Sequence, residues 1–171
     1  ELADDTLGMN LSKLMREGPE EELRLTHNAQ PALLLAGFVA THYLKHCLKK
    51  PVQQIVRMAL GHSLGEYTAV AVAGGMDLPT ALKLVRLRGE MMTQAVPVGQ
   101  GGMTAVMGLD AATLAPLAAE CGVFVANDNG GGQVILSGPI EGIAKAEETA
   151  KAAGAKRVIR LNVAGPFHTL A

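Results

Sequence analysis

Gly61-His62-Ser63-Leu64-Gly65-Glu66-Tyr67 is the stretch on which the fold turns. An apolar run, Ile55 to Leu60, leads into it and reads as a buried strand; a helix-forming run, Leu64 to Ala73, leads out. A serine with glycine two places before it and two places after it is the G-x-S-x-G nucleophile elbow, a turn so sharp that flanking Cβ atoms would collide. The elbow pushes the serine oxygen out and aims the first N–H groups of the following helix at whatever the serine attacks. Ser63 is therefore the candidate nucleophile, and the Leu64 N–H the expected oxyanion donor. The competing reading is an ordinary strand-to-helix turn with Ser63 as a helix cap.

Composition narrows the classes around that turn. At 171 residues and 49% hydrophobic, the chain can bury a core as one domain, or one domain carrying a small insert. A net charge of −1 argues against nucleic acid as a partner. Aromatic residues make up 3% and Trp is absent, which weakens a stacking platform. Cys47 and Cys121 form no CxxC pair, so no metal or redox site is expected, and two buried free thiols fit a reducing compartment. No apolar run reaches transmembrane length, so no membrane partner is expected, and no signal peptide is visible. The chain starts at Glu1 without Met, which leaves a leader open.

Gly18-Pro19 before Glu20-Glu21-Glu22 marks a helix start with acids near its N-terminus. Asn28-Ala29-Gln30-Pro31 opens a longer, well-buried helix from about Pro31 to Leu48, with Asn28 as a candidate cap. Gly74-Gly75 stops the elbow helix; Asp77 caps the next, with Pro79 in its first turn, and that helix runs to about Ala95. On it, Arg88 falls three or four residues from Leu84, Val85, Met91 and Met92, inside the apolar face and with no acid at helical spacing. Arg86 falls on the polar face and can pair with Glu90. An inward guanidinium needs a distant carboxylate, an escape to water, or a substrate carboxylate held by two parallel hydrogen bonds. The pattern leaves these three open.

After Val96-Pro97 and the loop Gly99-Gln100-Gly101-Gly102 the texture changes. A strand over Met103 to Gly108, a helix over Ala111 to Cys121, strands over Val123 to Ala126 and Gln133 to Ser137, a helix over Ile140 to Ala153 and a strand over Arg157 to Val163 follow. That order, βαββαβ, is the ferredoxin-like unit. The loop Asn127 to Gly132 lacks the terminal glutamate of a calcium loop and the Lys-Ser/Thr of a phosphate loop, and reads as a hairpin turn. Gly165-Pro166 then turns the chain out of the last strand toward Phe167 and His168. A late histidine is what a serine nucleophile needs as general base. His62 ranks lower as base, because an adjacent side chain on a sharp elbow points away from its neighbour; it is kept as a substrate-binding candidate. His27, His42 and His46 read as surface residues.

Taken together, Asn28-Ala29-Gln30-Pro31-Ala32-Leu33, the elbow, Arg86-Leu87-Arg88-Gly89, Gly132-Gln133-Val134-Ile135-Leu136-Ser137-Gly138 and Pro166-Phe167-His168 resemble the malonyl-CoA:acyl carrier protein transacylase family. The resemblance implies an α/β fold: an α/β-hydrolase-like large subdomain, residues 1–96 and 164–171, carrying an inserted ferredoxin-like subdomain, residues 97–163. It implies Ser63 as nucleophile, His168 as general base, the Leu64 N–H as one oxyanion donor, and Arg88 as the partner of the malonyl carboxylate. Ping-pong acyl transfer would follow, from malonyl-CoA to the phosphopantetheine arm of acyl carrier protein, with no bound cofactor. Phe167 and Leu64 match the aromatic and aliphatic residues that accompany malonyl rather than methylmalonyl choice. A monomer in the cytoplasm is expected, with an organelle left open.

The departures also carry expectations. Family members begin with a strand and a Gly-Gln-Gly loop that supplies part of the oxyanion hole; this chain begins after it, and Gln100 does not take over that role. They also continue well past the histidine, and a backbone carbonyl in that region orients the imidazole. The stretch by itself is expected to be incomplete and poorly active. Acyl carrier proteins are generally acidic, so a basic docking face is expected, at Lys45, Lys49 and Lys50 or at Lys151, Lys156 and Arg157. The alternatives are a polyketide synthase acyltransferase domain, a serine thioesterase or hydrolase, and a non-catalytic carrier-protein-binding module.

Overall fold

A computed structural model describes residues 1–96, 99–163 and 165–169; Pro97 and Val98, at the expected start of the inserted subdomain, Ala164, at the expected return to the large one, and Leu170 and Ala171 lie outside the described residues. The chain forms two compact units, Glu1–Met91 and Met92–Ala171.

The first unit is helical. It holds α1 (Leu2–Leu7), α2 (Leu11–Glu17), α3 (Glu20–Arg24), α4 (Thr26–Leu48), α5 (Val52–Ile55), α6 (Leu64–Val72) and most of α7 (Leu78–Ala95). The N-terminal stretch is built into the core through Ala3 and Leu11, while Asp4 accepts from the Ser12 N–H at 2.8 Å and ties α1 to α2. α4 starts one turn before the expected Pro31, so Asn28 lies inside the helix rather than capping it. The expected stop holds: Lys49 leaves α4 in the left-handed region. Asp77 caps as expected, its carboxylate accepting from the Thr80 N–H at 2.7 Å. Leu34, Ala71, Ala81, Leu82 and Val85 form the core between α4, α6 and α7.

Other expectations for this unit fail. The run Ile55 to Leu60 is not a strand: it begins as the end of α5 and continues as irregular chain, with Leu60 83% exposed. An apolar run becomes a buried strand only when other strands flank it, and among the described residues none pairs with it. α4 is also less buried than its composition promises. Its buried side chains end at Leu34, and Tyr43 is 69% exposed. Cys47 is exposed too, against expectation, because it lies on that uncovered half of α4.

The second unit follows the sequence reading closely. It comprises β1 (Gly101–Met107), α8 (Ala111–Glu120), β2 (Phe124–Asp128), β3 (Gln133–Pro139), α9 (Ile140–Ala152) and β4 (Arg157–Arg160). The strands make one antiparallel sheet in the order β2-β3-β1-β4, the ferredoxin-like arrangement. β1 is central, with Ala105 opposite both Ile135 and Ile159. Alternation puts Val106, Val134 and Leu136 on the face covered by α8 and α9, where they meet Leu114, Ala118, Ile143 and Ala146. Asp110 caps α8 by accepting from the Thr113 N–H, and these bonds hold its carboxyl below the ordinary range. The β2–β3 connection is the expected tight turn: Gly130, Gly131 and Gly132 all have positive φ, and Asn129 N–H donates to Gln133 O at 2.9 Å. β4 ends at Arg160, short of the expected Val163. Among the described residues no helix is long and apolar enough to cross a membrane, and no group of His, Cys, Asp and Glu could hold a metal ion.

Candidate active site

Ser63 stands at the start of α6 with φ 52° and ψ −109°, a conformation that favours glycine and that a serine adopts only when its surroundings hold it there. The surrounding device is the close approach of Gly61 to Gly65. A Cβ on Gly61 would sit 1.7 Å from the Gly65 carbonyl carbon and 2.2 Å from the Glu66 nitrogen. The two glycines of the motif differ, since a Cβ on Gly65 meets nothing within 4 Å. Gly65 N–H donates to His62 O at 2.8 Å and Glu66 N–H to Ser63 O at 3.3 Å, closing the turn. Ser63 makes no side-chain cap to its own helix. That removes the bland alternative in which the serine is a helix cap. Leu64 opens α6, so its N–H belongs to the first turn, where an α-helix provides no internal acceptor.

The Ser63 hydroxyl is met by α7. Arg88 Nη2 donates to Ser63 Oγ at 2.9 Å, and Arg88 Nη1 donates to Gln30 Oε1 at 2.5 Å. The guanidinium also lies over the Tyr67 ring, 5.6 Å from its centroid, in cation–π range. Where the sequence left a distant carboxylate, water or a substrate carboxylate as partners of an inward arginine, the structure supplies neutral protein groups instead. Among the described residues no Asp or Glu forms an ion pair with Arg88. Its charge is thus held half-buried by an amide, a hydroxyl and an aromatic face. Such a place is suited to an incoming carboxylate.

Gln30 and Tyr67 fall within the Asn28–Leu33 and Gly61–Tyr67 motifs, but the motifs themselves assign them no role. A sequence signal for Gln30 is its place four residues before the apolar Leu34, on the same face of α4, and both are buried. Tyr67 is one turn along α6 from Ser63.

His62 is exposed and lines a groove of about 460 Å³ beside the elbow with Leu33, Gly37, Leu60, Leu64 and Thr68. His168 belongs to the second unit. It is exposed, has φ 58°, and sits in a tight turn in which Phe167 N–H donates to Gly165 O at 3.1 Å and Thr169 Oγ1 to Pro166 O at 3.1 Å. Pro166 packs so closely on β1 that a Cβ on Gly101 would fall 2.4 Å from its ring, and Phe167 packs with Met103, Ala105 and Ile135 on the sheet face away from the helices. Of the other histidines, His42 and His46 are exposed as expected, and His27 is half-buried.

The acyl transferase domain model matches residues 1–169, and the chain belongs to that family. Among its relatives is the malonyl CoA-acyl carrier protein transacylase of Bacillus subtilis (strain 168), 45% identical over 172 residues, covering 98% of this chain and 53% of the relative. The crystal structure of an acyl-carrier-protein-S-malonyltransferase from Bartonella henselae matches with a TM-score of 0.90 at 42% identity, over 99% of this chain and 55% of that one. A further match, with TM-score 0.86 and 40% identity over 96% of this chain and 53% of the other, is a malonyl-transacylase in complex with a type II PKS acyl-carrier protein. The chain spans about half the length of the curated relatives it matches.

Proposed function

We propose that the protein transfers a malonyl group from malonyl-CoA to the phosphopantetheine thiol of acyl carrier protein, in the cytoplasm, as a step of fatty-acid synthesis. The observation that carries this reading is the Arg88 bond to Ser63 Oγ, made by a guanidinium with no acidic partner among the described residues. A cation held against a nucleophile selects an acyl donor that carries its own carboxylate. The malonyl carboxylate takes Arg88 by two parallel hydrogen bonds and so frees Ser63 Oγ. An acetyl donor leaves the guanidinium without an anion.

His168 takes the Ser63 proton and Ser63 Oγ attacks the thioester carbonyl. The Leu64 N–H stabilises the oxyanion. The proton passes from His168 to the departing sulfur of coenzyme A, leaving a malonyl-serine ester. The thiol of the carrier protein, deprotonated by His168, then attacks that ester and Ser63 recovers its proton. His62 contributes to substrate binding from the adjacent groove. The fold proposed for the whole is an α/β-hydrolase-like subdomain, residues 1–96 and 164–171, with the ferredoxin-like unit, residues 97–163, inserted.

Malonyl-CoA labelled in the acyl group tests the reading on the protein as its gene encodes it. The expected result is a stable acyl adduct on Ser63, absent in Ser63→Ala, that acyl carrier protein discharges and water does not. Rapid discharge to water would make the protein a hydrolase. Absence of an adduct, with carrier protein still bound, would make it a binding module.

A further inference from the structure

We infer that Arg86 is a positioning residue for donor choice, acting on Arg88 through the first turns of α4. The inference rests on the reading of Arg88 as the carboxylate-binding group. Arg86 and Arg88 are two residues apart on α7, and Asn28 and Gln30 are two residues apart on α4. The two pairs bond in parallel: Arg86 Nη1 donates to Asn28 Oδ1 at 2.6 Å, and Arg88 Nη1 to Gln30 Oε1. Gly89, next after Arg88 on α7, lies against the backbone of α4. A Cβ there would be 2.5 Å from His27 Cα and 2.8 Å from Thr26 O. The helices therefore approach backbone to backbone at Gly89. Both arginines precede Gly89 on α7, and both of their amide partners follow its contact at His27 on α4, so the Arg86 grip holds the two helices beside that contact and fixes where Gln30 stands relative to Arg88.

The Arg86 grip is itself built. Nε donates to Glu90 Oε1 at 2.8 Å, so the planar fork is set before it reaches α4. Nη1 also approaches His27 O at 3.3 Å and Met9 Sδ at 3.4 Å. Asn28 is buried, and its Nδ2 donates to Glu22 O at 2.8 Å, which fixes the amide so that its oxygen faces Arg86. None of these groups touches Ser63 or an acyl donor. Arg86 would act only by limiting how far Arg88 can drift from Ser63 Oγ.

The test compares malonyl-CoA and acetyl-CoA as donors, in the protein as its gene encodes it, for Arg86→Met, Arg86→Lys and Arg88→Ala. The readout is the ratio of kcat/KM for the two donors, which a change in the folded fraction cannot move. Arg86→Met is expected to lower the malonyl preference by about tenfold, chiefly through a raised KM for malonyl-CoA with kcat little changed. Arg86→Lys, which keeps the charge but cannot hold Glu90 and Asn28 together, is expected to fall between Arg86→Met and the parent, and it alone decides if Arg86→Met does not fold. An unchanged ratio in the folded Arg86 variants, beside a collapsed ratio in Arg88→Ala, overturns the positioning role alone. An unchanged ratio in Arg88→Ala overturns the carboxylate reading beneath it.

Discussion

Replacing Gly61 with alanine tests the elbow at its tightest point. The added Cβ would lie 1.7 Å from the Gly65 carbonyl carbon, 1.8 Å from its oxygen and 2.2 Å from the Glu66 nitrogen. These are backbone atoms, which no rotamer change can move aside, so the two limbs of the turn must part by roughly 1.5 Å or more to reach ordinary contact. That movement breaks the Gly65 N–H to His62 O and Glu66 N–H to Ser63 O bonds, which close the turn. At about 1 kcal/mol for each bond, with strain added, the expected cost is about 3 kcal/mol or more. For a chain of this size that is a fall of roughly 6–12 °C in Tm. Gly65→Ala is the control within the same motif. Its Cβ enters open space near the start of α6, and the better helix propensity of alanine makes it neutral or stabilising by up to about 1 kcal/mol. Thermal and urea denaturation followed by far-UV circular dichroism measures both. A Gly61→Ala variant melting within about 2 °C of the parent would refute the steric argument. So would a Gly65→Ala variant that loses as much as Gly61→Ala.

Ser63→Gly relieves the positive φ and is expected to raise stability by about 1 kcal/mol while abolishing acyl-adduct formation; a destabilised variant would mean that the Arg88 bond outweighs the strain. In the second unit, Arg160 donates to both oxygens of Glu147, and this holds the Glu147 carboxyl below its ordinary value of 4.5 while raising Arg160. A depressed folded-state pKa contributes stability that is present above the unfolded value and lost as pH falls through the folded one. Stability should therefore drop as pH is lowered from about 4.5 downward, and Glu147→Gln should remove that part of the slope in a pH series of urea melts. An identical slope in the variant would show that the pair contributes nothing.

The order of the βαββαβ unit was legible element by element because its signals are local. The Asp110 cap, the glycine run after Asn129, and Gly154 at φ 94° each end an element by backbone chemistry that needs no distant partner. The first unit was less legible for the complementary reason. Ile55 to Leu60 has the composition of a strand, yet a strand exists only in a ladder, and no described neighbour supplies one. The composition of α4 likewise promised burial along its whole length, but what covers a helix is a property of its surroundings. Burial of its side chains stops at Leu34.

The candidate site divides along the same line. The sequence by itself determined the strained serine, because the Gly61 spacing leaves the turn one way to close, and it determined that Arg88 points inward, because 3.6-residue periodicity puts it among apolar neighbours. It could not determine what Arg88 meets there. Gln30 lies 58 residues away along the chain and Ser63 lies 25 away, and only the packing of α4, α6 and α7 makes them neighbours. Helical periodicity sets the direction of a side chain; the partner at its end is set by which other element the core brings to that place.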